Sequence, residues 1–259
     1  MFTMIHAQAV SDVGCVRKNN EDMILLNGEY YRDETATQRF ELLQGSRFKA
    51  LVADGMGGTE GGEFASEIAL QSFEKFLDIA PEGLSNEEFS NSVTRWTMQT
   101  HNSILQKGVE FPQYNQMGTT LTGLFGYGGR IFMINIGDSR VYRYRSGILN
   151  QLTRDHSMRE LHNDPAIASN LIYNCLGGGA PDAFADLTDI TDRIFGDDRF
   201  IICSDGLSDM LTDEEIESVV KQALENGKED NIAVELAEAA KSAGGRDNVS
   251  VLMLYIVED

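Results

Sequence analysis

The chain has 259 residues, 42% of them hydrophobic and 24% charged, enough to bury a sizeable core. Asp and Glu total 41 against 21 Lys and Arg, a formal charge of −20 that disfavours nucleic acid and anionic membrane surfaces as partners and concentrates cations. The widely spaced Cys15, Cys175 and Cys203, with no C-x-x-C, argue against a disulfide framework or a structural zinc site, and no apolar run approaches the ~18 residues of a membrane span. A soluble protein of the reducing cytoplasm is expected.

Strand-like runs cover 6–10 and 23–26, and the polar, aperiodic stretch 28–45 reads as a long loop or irregular hairpin. A buried strand follows at 48–53. Over 63–78, Ala65, Ile68, Ala69, Phe73, Phe76 and Leu77 recur at helical spacing. Ser85-x-x-Glu88 is a capping box opening a second helix, with Phe89, Val93, Trp96, Thr100 and Ile104 on one face and Gly108 as its stop. Runs 119–125 and 130–136 flank the Gly128-Gly129 turn as a hairpin, which 141–144 extends as a meander. A strand at 200–203 precedes a helix opened by Thr212-x-x-Glu215, a further helix at about 232–243 and a last strand at 249–257. Helices arrive in pairs between blocks of strands, which predicts an α+β layered fold rather than a doubly wound parallel sheet. No linker divides residues 1–259, so one domain is expected.

The chemistry is carried by acids at the ends of these strands. Asp54-Gly55 and Asp205-Gly206 follow apolar runs, Asp247-Asn248 precedes one, Asn20-Glu21-Asp22 enters another, and Asp138 joins two. A lone Asp-Gly is more often a turn. Repeated carboxylates on rigid strand ends repel each other unless a cation sits between them, and carboxylate-only ligation selects Mg²⁺ or Mn²⁺. The loop from Gly55 to Gly62 is no dinucleotide fingerprint, because Glu60 stands where the third glycine belongs. Walker, H-E-x-x-H and G-x-S-x-G motifs are missing, and His156 reads better as structural than as a ligand. Arg17 is either an ion-pair partner or a bidentate phosphate clamp. With no nucleophile elbow, a cation beside a metal pair suggests attack by metal-activated water.

The ordered series S-D-V-G-x-x-R-x-x-N-E-D (11–22), V-A-D-G-M-G-G (52–58), M-G-T-T-L (117–121), N-I-G-D-S-R-x-Y (135–142), L-T-R-D-H-S (152–157), C-S-D-G-L-S-D (203–209) and G-G-R-D-N-V-S-V (244–251) resembles the bacterial PPM-type (type 2C) metal-dependent serine/threonine protein phosphatases. The resemblance runs from about residue 6 to 257. It implies a four-layer α/β/β/α sandwich with two antiparallel sheets face to face. It implies two Mn²⁺ or Mg²⁺ ions, bridged by Asp54 and a water, with the Gly55 carbonyl on one ion and Asp205 and Asp247 on the other. Glu21 and Asp22 would orient metal-bound waters, Arg17 would bind the phosphate, and Asp138 with Asp205 would hold a third, weaker metal. The bridging water would attack phosphoserine or phosphothreonine in a protein substrate, with a partner Ser/Thr kinase sharing those substrates.

Two departures stand out. Met56 stands where many eukaryotic members have a histidine proposed as general acid, and the flap at about 157–175 is short. Two alternatives stay open at this point: a weak or inactive relative acting as a regulatory binding module, and a phosphatase that resets a small regulatory protein.

Overall fold

The computed structural model describes residues 2–42, 45–57 and 61–258. In chain order the strands are β1 (Phe2–Asp12), β2 (Met23–Leu26), β3 (Glu29–Tyr31), β4 (Thr35–Glu41), β5 (Lys49–Ala53), β6 (Gly55–Met56), β7 (Gly118–Thr119), β8 (Leu121–Tyr127), β9 (Arg130–Ile136), β10 (Arg140–Arg145), β11 (Ile148–Gln151), β12 (Leu176–Gly177), β13 (Asp186–Asp189), β14 (Arg199–Cys203) and β15 (Val249–Glu258). The α-helices are α1 (Gly62–Ile79), α2 (Asn86–Glu110), α3 (Met158–His162), α4 (Asp205–Ser208), α5 (Asp213–Glu225) and α6 (Ile232–Ser242).

One sheet runs β11-β10-β14-β15-β1-β4 and the other β13-β9-β8-β5-β2-β3, all pairs antiparallel; β12, β7 and β6 form a small third sheet. The period of two in each strand makes the layers. Ala50, Val52, Phe200, Ile202, Leu252 and Leu254 point between the sheets. Leu51 and Ala53 point the other way, onto Phe73, Leu77, Phe89 and Trp96 of α1 and α2. Ile201, Cys203, Val251 and Met253 face α5 and α6 through Ile216, Val220, Leu236 and Ala240. The four-layer expectation holds, with Trp96 and the phenylalanine stripe in the core as foreseen.

Four local readings need correction. The 28–45 stretch is no plain loop: β3 pairs with β2 in one sheet and β4 with β1 in the other, so the chain crosses the sandwich here. The β8–β9 hairpin is not extended as a meander, because β10 leaves for the opposite sheet and pairs with β14. Helix α2 continues past Gly108, where a Cβ would come within 3.0 Å of the Tyr114 carbonyl oxygen, so that glycine serves packing rather than termination. The 119–125 run is broken at Thr120, whose N–H leaves the ladder to bond the Asp54 carbonyl at 2.9 Å. The capping boxes at Ser85–Glu88 and Thr212–Glu215 are both formed.

Candidate active site

Antiparallel register brings the acid-bearing strand ends to one end of the sandwich. Asp12 pairs with Val249, Cys203 with Val251 and Arg140, Met23 with Ala53, and Leu121 with Ile136. Asp22 thus enters β2, Asp54 leaves β5, Asp138 joins β9 to β10, Asp205 follows β14 and Asp247 precedes β15. They converge on a cleft of about 240 Å³ lined by Arg17, Glu21, Asp54, Asp138, Asp205 and Asp247, together with Gly55, Met56 and Gly57. Every sequence-predicted site residue except Asp22 lines it. Gly58 and Glu60 of the glycine-rich loop lie outside the described residues.

Asp22 sits beneath the cleft, only 1% exposed. Its Oδ2 accepts from Ser204 Oγ at 2.7 Å, and that hydroxyl in turn receives Ser250 N–H at 3.0 Å. Asn248 ties the loops together. Its Oδ1 accepts from Glu21 N–H at 2.9 Å, and its amide donates to the carbonyls of Val13 and Asn19 at 3.0 and 2.9 Å. Asp54 is held through its backbone: its N–H donates to Thr120 Oγ1 at 3.0 Å, and its carbonyl receives Thr119 Oγ1 at 2.9 Å. Arg17 Nη2 donates to Asp247 Oδ2 at 2.6 Å, with both side chains partly exposed. Sequence reasoning missed Ser204, Thr120 and Asn248, although S-D-G, T-T-L and D-N-V carry them at the matched motifs.

His156 has the structural role expected. Gly137 N–H donates to its Nδ1 at 3.1 Å, so the imidazole proton lies on Nε2, which meets Asp186 Oδ2 at 3.1 Å. The ring pins the turn carrying Asp138 to the segment after β11. That segment is the flap: α3 is only one turn and a half, Ser157 bridges to Ile172, and Asn170 and Ile172 reach the cleft wall.

Burial, then mutual repulsion, sets the protonation of the acids. Burial raises Asp22 from 3.8 to about 6, against the pull of Ser204 and Ser250. Burial and then Asp155 raise Asp138 to about 7. Asp54 lies well above its ordinary value through burial and then Asp22, Asp205 and Asp138. Asp205 does so through burial and then Asp138 and Asp247.

A group of acids that costs this much to ionise fits a hard divalent cation, and the donor set is all oxygen. Gly55 is cradled so closely that a Cβ would stand 2.2 Å from the Gly62 carbonyl oxygen, which leaves backbone rather than side chain at the cleft floor. The acids are gathered but not closed into a cage: among the described residues no group of three or more His, Cys, Asp and Glu stands at metal-holding spacing. Mg²⁺ keeps several waters and takes only one or two carboxylates, so an open arrangement suits it.

A carboxyl whose folded pKa is raised stabilises the fold while protonated, and that contribution is lost as pH rises through the folded value. For Asp22 and Asp138 the window runs from 3.8 to about 6 and about 7. At about 1.4 kcal/mol per tenfold change in proton affinity, ionising this coupled set of acids costs on the order of a few kcal/mol above neutral pH. Protons and cations compete for these acids, so the rise in Tm on adding Mn²⁺ should grow steadily from pH 5 to pH 7.5. A Mn²⁺-induced rise that is the same at both pH values would contradict the assignment.

The family model for Protein phosphatase 2C matches residues 25–240. The chain belongs to the protein phosphatase 2C family. It is 32% identical over 263 residues to the serine/threonine protein phosphatase PstP of Mycobacterium tuberculosis, a match covering 96% of this chain and 45% of that protein. The chain therefore spans under half the length of that relative. The solved structure of the S. agalactiae serine/threonine phosphatase superposes with a TM-score of 0.78 at 26% identity, over 98% of this chain and 100% of the other. The catalytic domain of a PstP in complex with two manganese ions superposes at 0.73 with 29% identity, over 99% of this chain and 100% of that one. The bacterial phosphatase resemblance read from the motifs is borne out.

Proposed function

We propose that this chain is a phosphoprotein phosphatase that hydrolyses phosphoserine and phosphothreonine with two divalent cations at the cleft. The observation that carries this is the gathering of Asp54, Asp138, Asp205 and Asp247 from distant strand ends into one cleft with Arg17 at its lip, in a chain of this family. The PstP catalytic domain with two manganese ions supports the metal class. Asp54, Asp205, Asp247 and the Gly55 carbonyl would hold the core pair, and Asp138 with Asp205 a weaker third ion. Mn²⁺ or Mg²⁺ bound there supplies Lewis acidity and offsets the charge of the phosphate and of the acids.

The chain's own groups do the rest. Arg17, already at the lip, swings its fork from Asp247 to the phosphoryl oxygens and fixes the phosphate's orientation. Glu21, half-buried at the rim, would orient water through hydrogen bonds, whereas Asp22, beneath the floor, acts through the Ser204 hydroxyl it accepts from rather than on cleft water directly. Met56 lines the cleft with a thioether and neither gives nor takes a proton. The proton for the leaving serine or threonine alkoxide would then come from water in the cleft or from one of its protonated acids, not from position 56. We read 1–259 as one catalytic unit with 157–175 as its flap. Its location we place in the cytoplasm, with phosphoproteins and a kinase sharing them as partners; no described helix is long and apolar enough to cross a membrane.

The test is release of phosphate from a phosphoserine peptide by the purified chain. Turnover should vanish after chelation with EDTA and return with Mn²⁺ or Mg²⁺ but poorly with Zn²⁺, since the cleft offers no His or Cys. Undiminished turnover after exhaustive chelation and dialysis would overturn the proposal. Arg17→Ala should lower kcat/KM by about tenfold to a hundredfold, the worth of a charge-assisted bidentate contact of about 1.5–3 kcal/mol, while Mn²⁺ affinity stays near wild type. A variant that instead turns over normally but melts earlier would make Arg17 an ion-pair partner only.

A further inference from the structure

A second cavity lies between the sheets at the edge where β13 and β10 meet, and shares no lining residue with the acid cleft. Met133, Ile190, Ile194 and Phe200 wall about 140 Å³, and the polar groups on it are Arg143, Arg193 and Thr188. Arg143 occupies an inward-facing position of β10. Val141, two residues earlier, belongs to the core between the sheets, whereas Tyr142 and Tyr144 pack outward. Arg145, the next inward position, is matched by the fully buried Asp198 at 2.5 Å and lies over Phe195. Arg143 has no such match: its Nε is shut off from water without a hydrogen-bond partner, and no carboxylate lines the cavity. Among the described residues it makes no ion pair.

Arg143 is half-buried, so its outer guanidinium nitrogens reach water, but the Nε shut off without a partner still carries a desolvation cost that a Met or Leu here would not. What removes the cost is an anion. The remaining walls are apolar, which disfavours a phosphate or sulfate, whose oxygens need hydrogen-bond donors on every side. A carboxylate asks for one fork of two donors and carries an apolar body. The volume matches cavities of about 150 Å³ that hold a benzene ring. We propose that this cavity is a binding site for a small organic carboxylate, with its head on the Arg143 guanidinium beside the Thr188 hydroxyl and its apolar part against Met133, Ile190 and Phe200. The site is independent of the phosphatase cleft and does not rest on that activity.

Thermal melting and calorimetric titration of the whole chain test it, with sodium benzoate as probe and benzyl alcohol and inorganic phosphate as controls at constant ionic strength. Benzoate should raise Tm by a few degrees at saturation, and neither control should. Arg143→Met keeps the stem and removes the charge. It should abolish the benzoate shift and, without ligand, melt at or above wild type, because an unmatched cation has gone. Arg143→Lys keeps the charge but not the fork, and should bind benzoate at least several-fold more weakly. The proposal falls if benzoate gives no shift, if phosphate or benzyl alcohol shifts Tm as much, or if Arg143→Lys binds at full affinity. It falls equally if Arg143→Met keeps the shift, or melts several degrees lower without ligand.

Discussion

Asp205→Asn should raise or hold the melting temperature of the metal-free protein while it collapses catalysis. Asp205 is held well above the ordinary carboxylate range by burial and by the charges of Asp138 and Asp247. Asparagine keeps its shape and removes its charge, which relieves that repulsion. The modest cost is at the first turn of α4, where a negative charge favours the helix N-terminus by a few tenths of a kcal/mol. Turnover should nevertheless drop by at least about 10²–10³-fold, the loss seen when one electrostatic contact to a transition state is removed. Asp205 carries this effect because it would serve both the core pair and the weaker ion. A carboxylate kept only for structure would behave in the opposite way, losing stability with its hydrogen bonds and sparing turnover. Melting in EDTA beside steady-state hydrolysis of a phosphoserine peptide separates the two. Early melting with normal turnover would overturn the metal reading of this cleft.

The acids were legible because each stands at the end of an apolar run, and an antiparallel sandwich brings alternate strand ends to the same side. Asp54-Gly55 and Asp205-Gly206 could be placed from the sequence alone for that reason. The depth of Asp22 could not. Nothing in N-E-D distinguishes Glu21, which lines the cleft, from Asp22, which lies beneath it on Ser204; only the register of β2 against β5 decides. β4 escaped for a different reason. Its residues alternate between exposed and half-buried positions because it is an edge strand, so Thr35–Glu41 never shows the apolar run that marks a buried one. A short Gly-Asp-Ser link between two strands reads as the turn of a local meander. The positive φ of 111° at Gly137 turns the chain into the opposite sheet instead. Arg143 alternates with the tyrosines of β10, and its inward orientation follows only once Val141 is known to face the core.

Gly206→Ala should be among the most damaging single-methyl additions in the chain. A Cβ there would stand 1.8 Å from the Asn248 carbonyl oxygen and 2.8 Å from its carbonyl carbon. Both obstacles are backbone, so no rotamer change relieves them. Asn248 cannot retreat alone either, since its side chain holds Val13, Asn19 and Glu21 and its N–H donates to Asp247 Oδ1 at 2.9 Å. Displacing it moves the Arg17–Asp22 loop and Asp247 together, and both carry residues that line the cleft. Overpacking of this kind costs about 3 kcal/mol or more, and at ~2–4 °C per kcal/mol for a domain of this size Tm should fall by roughly 6–12 °C. Turnover should be lost well below the new Tm, because the cleft is distorted before the fold is. Gly128→Ala supplies the contrast. Gly128 lies in the β8–β9 turn, meets nothing within 4 Å, and has a positive φ of 59° as its only objection. That conformational strain costs about 1–2 kcal/mol and should leave hydrolysis intact. Equal Tm losses for the two variants, or a Gly206→Ala protein with normal turnover, would show that Asn248 does not hold the Arg17–Asp22 loop and Asp247 in place.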